Sequence, residues 1–136
     1  MSAEQNKSLI LQYNQEVIQN GNVAFFEQIV APHFVNHSAP DPTASGVESM
    51  TAFFTNVLHT AFSNLTVDVL DMVADDRTVA TRKQITGTHT GNLMGLAPTG
   101  RRVTICIIDL IRLEDGKLTE HWGENNFPAV IQSLKA

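Results

Sequence analysis

The chain has 136 residues, 43% of them hydrophobic, with one cysteine and a formal charge of -5. That length suits one domain, residues 1–136, burying about two-thirds of the surface its unfolded chain would expose. The nine Lys and Arg are scattered among 14 Asp and Glu, which excludes the basic stripe of a nucleic-acid binder; the lone Cys106 excludes an internal disulfide, and no apolar run reaches the roughly twenty residues of a membrane span.

Met1 to Lys7 lack a basic start followed by an apolar stretch, so no secretory signal is expected and the location predicted is cytoplasmic. Leu9, Ile10, Tyr13 and Val17 recur at helical spacing and predict a first helix ending near Asn20, with Gly21 as the stop. Val23, Phe25, Phe26, Ile29 and Val30 predict a second, short helix closed at Ala31-Pro32, because the residue before a proline disfavours the helical region. Phe34 to His37 reads as a short strand. Ser45 with Glu48 is a capping-box pattern, opening a helix whose Val47, Met50, Phe54, Val57, Leu58 and Ala61 share one face.

From Leu65 the period becomes extended. Leu65 to Val73 and Thr78 to Thr88 predict two strands about the turn Asp75-Asp76-Arg77, and Gly87 to Gly100 reads as a glycine-rich linker. Val103 to Ile111 is the strongest strand. The turn Glu114-Asp115-Gly116 then returns the chain along Lys117 to Phe127 as a hairpin, and Pro128 opens a closing helix, Ala129 to Leu134. Helices before strands imply an α+β domain whose mostly antiparallel sheet is covered on one face.

The returning strand concentrates chemistry. Alternation puts Leu118, Glu120, Trp122, Glu124 and Asn126 on one side and Thr119, His121, Gly123 and Asn125 on the other. Buried polar groups need partners, so one side is expected to face a partly polar cavity. His121 is expected to point away from Trp122, outward or into a contact between subunits.

Three motifs coincide: Phe34-Val35-Asn36-His37, Gly87-Thr88-His89-Thr90-Gly91 leading to Gly95-Leu96-Ala97-Pro98-Thr99-Gly100, and Asp115-Gly116-Lys117 leading to Glu120-His121-Trp122. Together they resemble the SnoaL-like polyketide cyclase (ester cyclase) family of the NTF2-like superfamily, over about Lys7 to Leu134. The resemblance implies a cone-shaped α+β barrel, with a bent sheet around an apolar ligand pocket, and a homodimer formed through the sheet. It also implies a cofactor-free enzyme that closes a polyketide ring by intramolecular aldol condensation. The family's proton-shuttling Asp, four positions after the Trp, is here Asn126, and an amide does not exchange protons as a carboxylate does.

The catalytic candidates are therefore His89, Asn126, Glu124 and Asp109. Glu124 either replaces the lost acid, helped by a bulge near Gly123, or is a solvated edge acid. Asp109, alone in charge between Val103 and Ile111, either faces the pocket with its pKa raised by burial or is an ordinary polar strand position. His89 either acts on a ligand or orders the glycine loop. Tyr13, Asn36, His37 and Trp122 are the substrate-binding candidates. His33 and His37 are separated by roughly 13 Å on an extended segment, too far to share a metal. Against a cyclase-type enzyme stand a non-catalytic binding protein and another NTF2-like isomerase, dehydratase or epoxide hydrolase; the presence of a cavity-facing carboxylate separates them.

Overall fold

The computed structural model describes residues 1–136. Helix α1 (Ala3–Tyr13) starts at a capping box in which Ser2 and Gln5 satisfy each other's backbone N–H. It runs on as a π-helical segment (Asn14–Gln19) before Gly21 and the Asn22-capped helix α2 (Val23–Ile29). Strand β1 (Val30–Asn36) follows at once. Pro32, expected to close the helix, instead lies inside this edge strand, where only one neighbour pairs and the register breaks between Val30 and Val35. Helix α3 (Val47–Ala52) continues through a second π-helical segment (Phe53–Leu58) into the short α4 (His59–Ala61). Its capping box does not form: Gly46 is the cap residue, and no side chain bonds the free N–H groups.

Four long strands complete the sheet: β2 (Phe62–Ala74), β3 (Thr78–His89), β4 (Arg102–Glu114) and β5 (Lys117–Asn125), with α5 (Phe127–Lys135) closing the chain. The spatial order is β1-β5-β4-β3-β2, with β1 parallel to β5 and the rest antiparallel, so the mixed sheet stays open between β1 and β2. The β4–β5 turn forms where Asp115 and Gly116 both take positive φ, as a tight hairpin requires. Gly91 lies where the chain leaves β3 against Thr60; a Cβ there would collide with the Thr60 carbonyl.

The helices bury one face of the sheet. Ile10, Tyr13, Val17, Phe26, Phe54 and Leu58 from the helices meet Val79, Ile85, Ile105, Ile111 and Leu118 from the strands in one core. Tyr13, Phe26, Phe34 and Phe54 interlock there with ring centroids 5.3–6.2 Å apart, in the tilted and edge-on arrangements that aromatic quadrupoles favour. No helix is long and apolar enough to cross a membrane.

Candidate active site

Odd-numbered residues of β3 and β4 face the helices, and two opposite charges stand among them. Lys83 lies between Val79 and Ile85 on β3, and Asp109 between Ile105 and Ile111 on β4; they are 2% and 4% exposed. An ammonium and a carboxylate at that depth persist only when paired and hydrogen-bonded. Lys83 Nζ donates to Asp109 Oδ2 at 3.1 Å and to Asn14 Oδ1 at 2.7 Å, and it sits 5.6 Å from the centre of the Tyr13 ring. Asn14 opens the first π-helical segment, and its Nδ2 donates back to the Ile10 carbonyl. That bond fixes which end of the amide faces Lys83.

A β-bulge brings the third member. Arg112 pairs with Glu120 but Leu113 with Leu118, so Thr119 is an extra residue and the alternation along β5 slips by one. Leu118 and Thr119 are both buried, and His121 beyond them turns inward opposite Ile111. The outward placement expected for His121 is thus reversed. Its Nε2 lies 3.4 Å from Asp109 Oδ2 and its Nδ1 2.9 Å from Asn36 Oδ1. Asn36 Oδ1 also accepts the Ser38 N–H, which identifies it as the oxygen and makes Nδ1 of His121 the donor. Gly123, beside Asp109 on the same face, leaves room for that ring; a Cβ would come within 3.0 Å of His121 Cε1.

The electrostatics differ from the sequence expectation. Burial does push the Asp109 carboxyl up, but Lys83 and then His121 outweigh it and hold the group below the ordinary carboxylate range. Asp109 is therefore a carboxylate at neutral pH. Burial, and then the charge of Asp109, push the Tyr13 phenol well above its usual value, so it stays protonated. Oδ2 of Asp109 faces both Lys83 and His121, whereas Oδ1 is buried without a partner, as is Oγ1 of its cross-strand neighbour Thr81.

Of the residues expected from sequence, Asp109, Asn36 and Tyr13 come together here. Trp122 and His37 lie on the opposite face of the sheet, where their rings stack 4.5 Å apart; Arg112 sits 5.2 Å from the Trp122 ring, and Glu120 bridges Arg112 and His37 at 3.3 Å each. Glu124 is exposed on that outer face, beside a groove of about 340 Å³ lined by Leu70, Cys106 and Ile108. Asn126 completes the β-ladder: its side-chain oxygen accepts the Cys106 N–H at 2.8 Å and its own N–H donates to the Cys106 carbonyl. His89 is fully buried, with Nδ1 accepting the Thr99 N–H at 3.2 Å and Nε2 unpartnered. It lies eight residues along β3 from Thr81, about 26 Å of strand, and so belongs to a different end of the sheet.

Lys83, Asn14, Thr81 and the inward role of His121 were not singled out from sequence. The signal for Lys83 was present: Val79, Thr81, Lys83 and Ile85 alternate with Arg82 and Gln84, which places a lysine on the apolar side.

The sequence profile of SnoaL-like polyketide cyclases matches residues 8–134. The chain belongs to this family. Among solved structures, AclR of Streptomyces galilaeus, provisionally described as a hydroxylase, is 28% identical over 98% of each chain, with a TM-score of 0.86. IdmH of Streptomyces antibioticus, provisionally described as a polyketide cyclase, is 25% identical over 96% of this chain and 98% of its own, with a TM-score of 0.78. TsrD of Streptomyces laurentii shares the fold at 21% identity over 98% of this chain and 97% of its own, with a TM-score of 0.84. No curated protein matches the chain. Membership of the SnoaL-like family supports a polyketide cyclase-type role, and it accounts for the NTF2-like arrangement of helices over one face of the sheet.

Proposed function

We propose that this chain is a cofactor-independent polyketide cyclase-type enzyme in which Asp109 is the general base. The observation that carries this reading is one buried carboxylate with its two oxygens in different states. Oδ2 is held by Lys83 at 3.1 Å and faces His121 at 3.4 Å, while Oδ1 has no partner. Lys83 keeps the group ionised inside the core, so the base is in its working form at neutral pH. Oδ1 takes the acidic proton of an enolisable carbonyl compound; the resulting enolate carbon attacks a second carbonyl of the same molecule and closes a ring. The proton then returns from Asp109 to the new alkoxide. In this scheme Asp109 replaces the acid that Asn126 lacks, with Asn36 and Tyr13 shaping the site around it.

Deuterium incorporation next to the carbonyl of 1-tetralone and of an aromatic 1,3-diketone, followed by mass spectrometry in heavy water, tests the base. The chain is expected to accelerate exchange, and Asp109→Asn to lower the acceleration by about 10²–10⁴-fold, the usual weight of a positioned base. Equal exchange by Asp109→Asn and the unaltered chain, or exchange no faster than in buffer with either compound, would sink it.

The outer face of the sheet, with Ile108 60% and Leu70 43% exposed beside the groove, is the surface we assign to pairing with a second copy of the chain. Ile108→Glu is expected to convert a dimer to a monomer by sedimentation; an unaltered mass rejects the assignment.

A further inference from the structure

Thr81 has no role in the base itself, yet it is the residue directly across from Asp109 on β3. It is 1% exposed, and its hydroxyl has no hydrogen-bond partner. Directly opposed residues on neighbouring strands hold their Cβ atoms about 4.5–5.5 Å apart. Two unpartnered oxygens therefore stand side by side on the inner face, out of hydrogen-bond reach of each other. Buried polar atoms in folded proteins are satisfied as a rule, by protein, water or ligand, so two adjacent exceptions mark a place for a third group.

The chemistry of the two atoms selects that group. Oδ1 of an ionised carboxylate only accepts, so the group donates a hydrogen; Thr81 Oγ1 has a hydroxyl hydrogen to give, so the group also accepts. A carbonyl lacks the donor, an ammonium lacks the acceptor, and an anion is repelled by Asp109. A neutral O–H satisfies both. The side we assign to substrate entry is that of β5, where the inner face passes from His121, its side chain 13% exposed, through Gly123, which has no side chain, to exposed Asn125.

We propose that Thr81 and Asp109 form a subsite for an enol or phenol hydroxyl of the substrate, with Thr81 Oγ1 donating to the oxygen that becomes the enolate. This deepens the reading of Asp109 as the base and rests on it. The substrate class is a carbonyl compound that enters as its enol or as a phenol, such as an aromatic 1,3-dicarbonyl. For a substrate that enters as the enol the O–H bond breaks, Asp109 Oδ1 gains the proton, and the negative charge is delocalised onto the carbon that forms the new bond; a substrate that enters as the ketone gives its α-hydrogen to the same Oδ1 and reaches the same enolate. The Thr81 hydroxyl hydrogen stays on Thr81 and holds the charged oxygen. A water molecule has the same donor and acceptor chemistry and fills the subsite when no substrate is bound.

The test uses 1-naphthol and 1-methoxynaphthalene as probes, which differ in the hydroxyl hydrogen. Calorimetric titration of the whole chain is expected to give at least tenfold tighter binding of 1-naphthol. Thr81→Val should remove most of that preference without altering affinity for the methyl ether, and Thr81→Ser should restore it. The apo Thr81→Val variant is expected to fold and to melt slightly below the unaltered chain, since it loses one hydrogen bond to that water. Equal binding of the two probes, or a preference untouched by Thr81→Val, overturns the subsite. An ordered water that stays on both oxygens in a crystal of the 1-naphthol complex also overturns it, by assigning the position to water alone. The two proposals fail separately. A naphthol preference that depends on Thr81, without ketone exchange, keeps the subsite and rejects the base; exchange without the preference does the reverse.

Discussion

Replacing Lys83 with Met tests the electrostatic core of the site directly. The side chain keeps most of its length and apolar stem, but the ammonium that holds Asp109 Oδ2 and Asn14 Oδ1 is lost. Asp109 is 4% exposed, so solvent cannot take over, and removing one partner of a buried ion pair costs about 3–5 kcal/mol. With about 2.1 cal/mol/K of unfolding entropy per residue, 136 residues give about 290 cal/mol/K, and the loss lowers Tm by about 10–17 °C. The pH dependence changes sign as well. In the unaltered chain the folded pKa of Asp109 is depressed, so its contribution is present above the unfolded value of about 3.9 and is lost as pH falls through the folded value. Without Lys83 the burial effect dominates and raises the folded pKa, so stability declines as pH rises from 4 to 7. Calorimetry across that range is the assay, with Lys83→Met/Asp109→Leu as the control that removes both charges. A Tm loss below about 3 °C, parallel pH profiles, or a double variant no more stable than the single one would refute the reasoning.

Three further outcomes follow from the geometry. Gly91→Ala drives a Cβ into the Thr60 carbonyl, a backbone atom that cannot swing aside; a loss of about 3 kcal/mol or more by urea titration is expected, as for other backbone clashes. Trp122→Ala removes the ring between His37 and Arg112 on the outer face; it should cost somewhat less than the about 3–5 kcal/mol of a fully buried Trp while leaving ketone exchange intact. Asn126→Asp keeps an acceptor for the Cys106 N–H, so it should match the parent's stability to within about 1 kcal/mol, whereas Asn126→Ala loses roughly that amount. Increased exchange in Asn126→Asp would place the acid at the family position rather than at Asp109.

Much of the fold was legible because its signals are local. Helical spacing in Leu9 to Val17 and Val47 to Ala61, β-branched runs from Leu65 onward, and the Asp115-Gly116 turn each specify an element without help from the rest of the chain. The exceptions are positions where tertiary context overrides a local signal. Pro32 marks a break in a helix-like run, but it is accommodated within an edge strand because its missing N–H faces no partner. Ser45 and Glu48 have capping chemistry, yet the cap falls one residue later, at Gly46, and the box does not form.

The site was harder to read because it depends on strand phase. Asp109 and Asn36 could be picked out as polar residues in apolar strands, but which of His121 and Trp122 faces inward is decided by the single extra residue Thr119. A bulge near Gly123 was the natural guess, since glycine often marks one; the slip occurs earlier, at a residue with no bulge signature, and Thr119 steadies it by donating its hydroxyl to the Arg112 carbonyl. The consequence reaches both faces at once. Shifting β5 by one residue carries His121 to Asp109 and, by the same step, carries Trp122 out to His37 and Arg112. The inner polar cluster and the outer aromatic stack are thus two results of one irregularity. Each stabilises the register the other needs: losing the bulge would return an indole to the ionic site and expose the imidazole, separating Asp109 from one of the two partners that hold its pKa down.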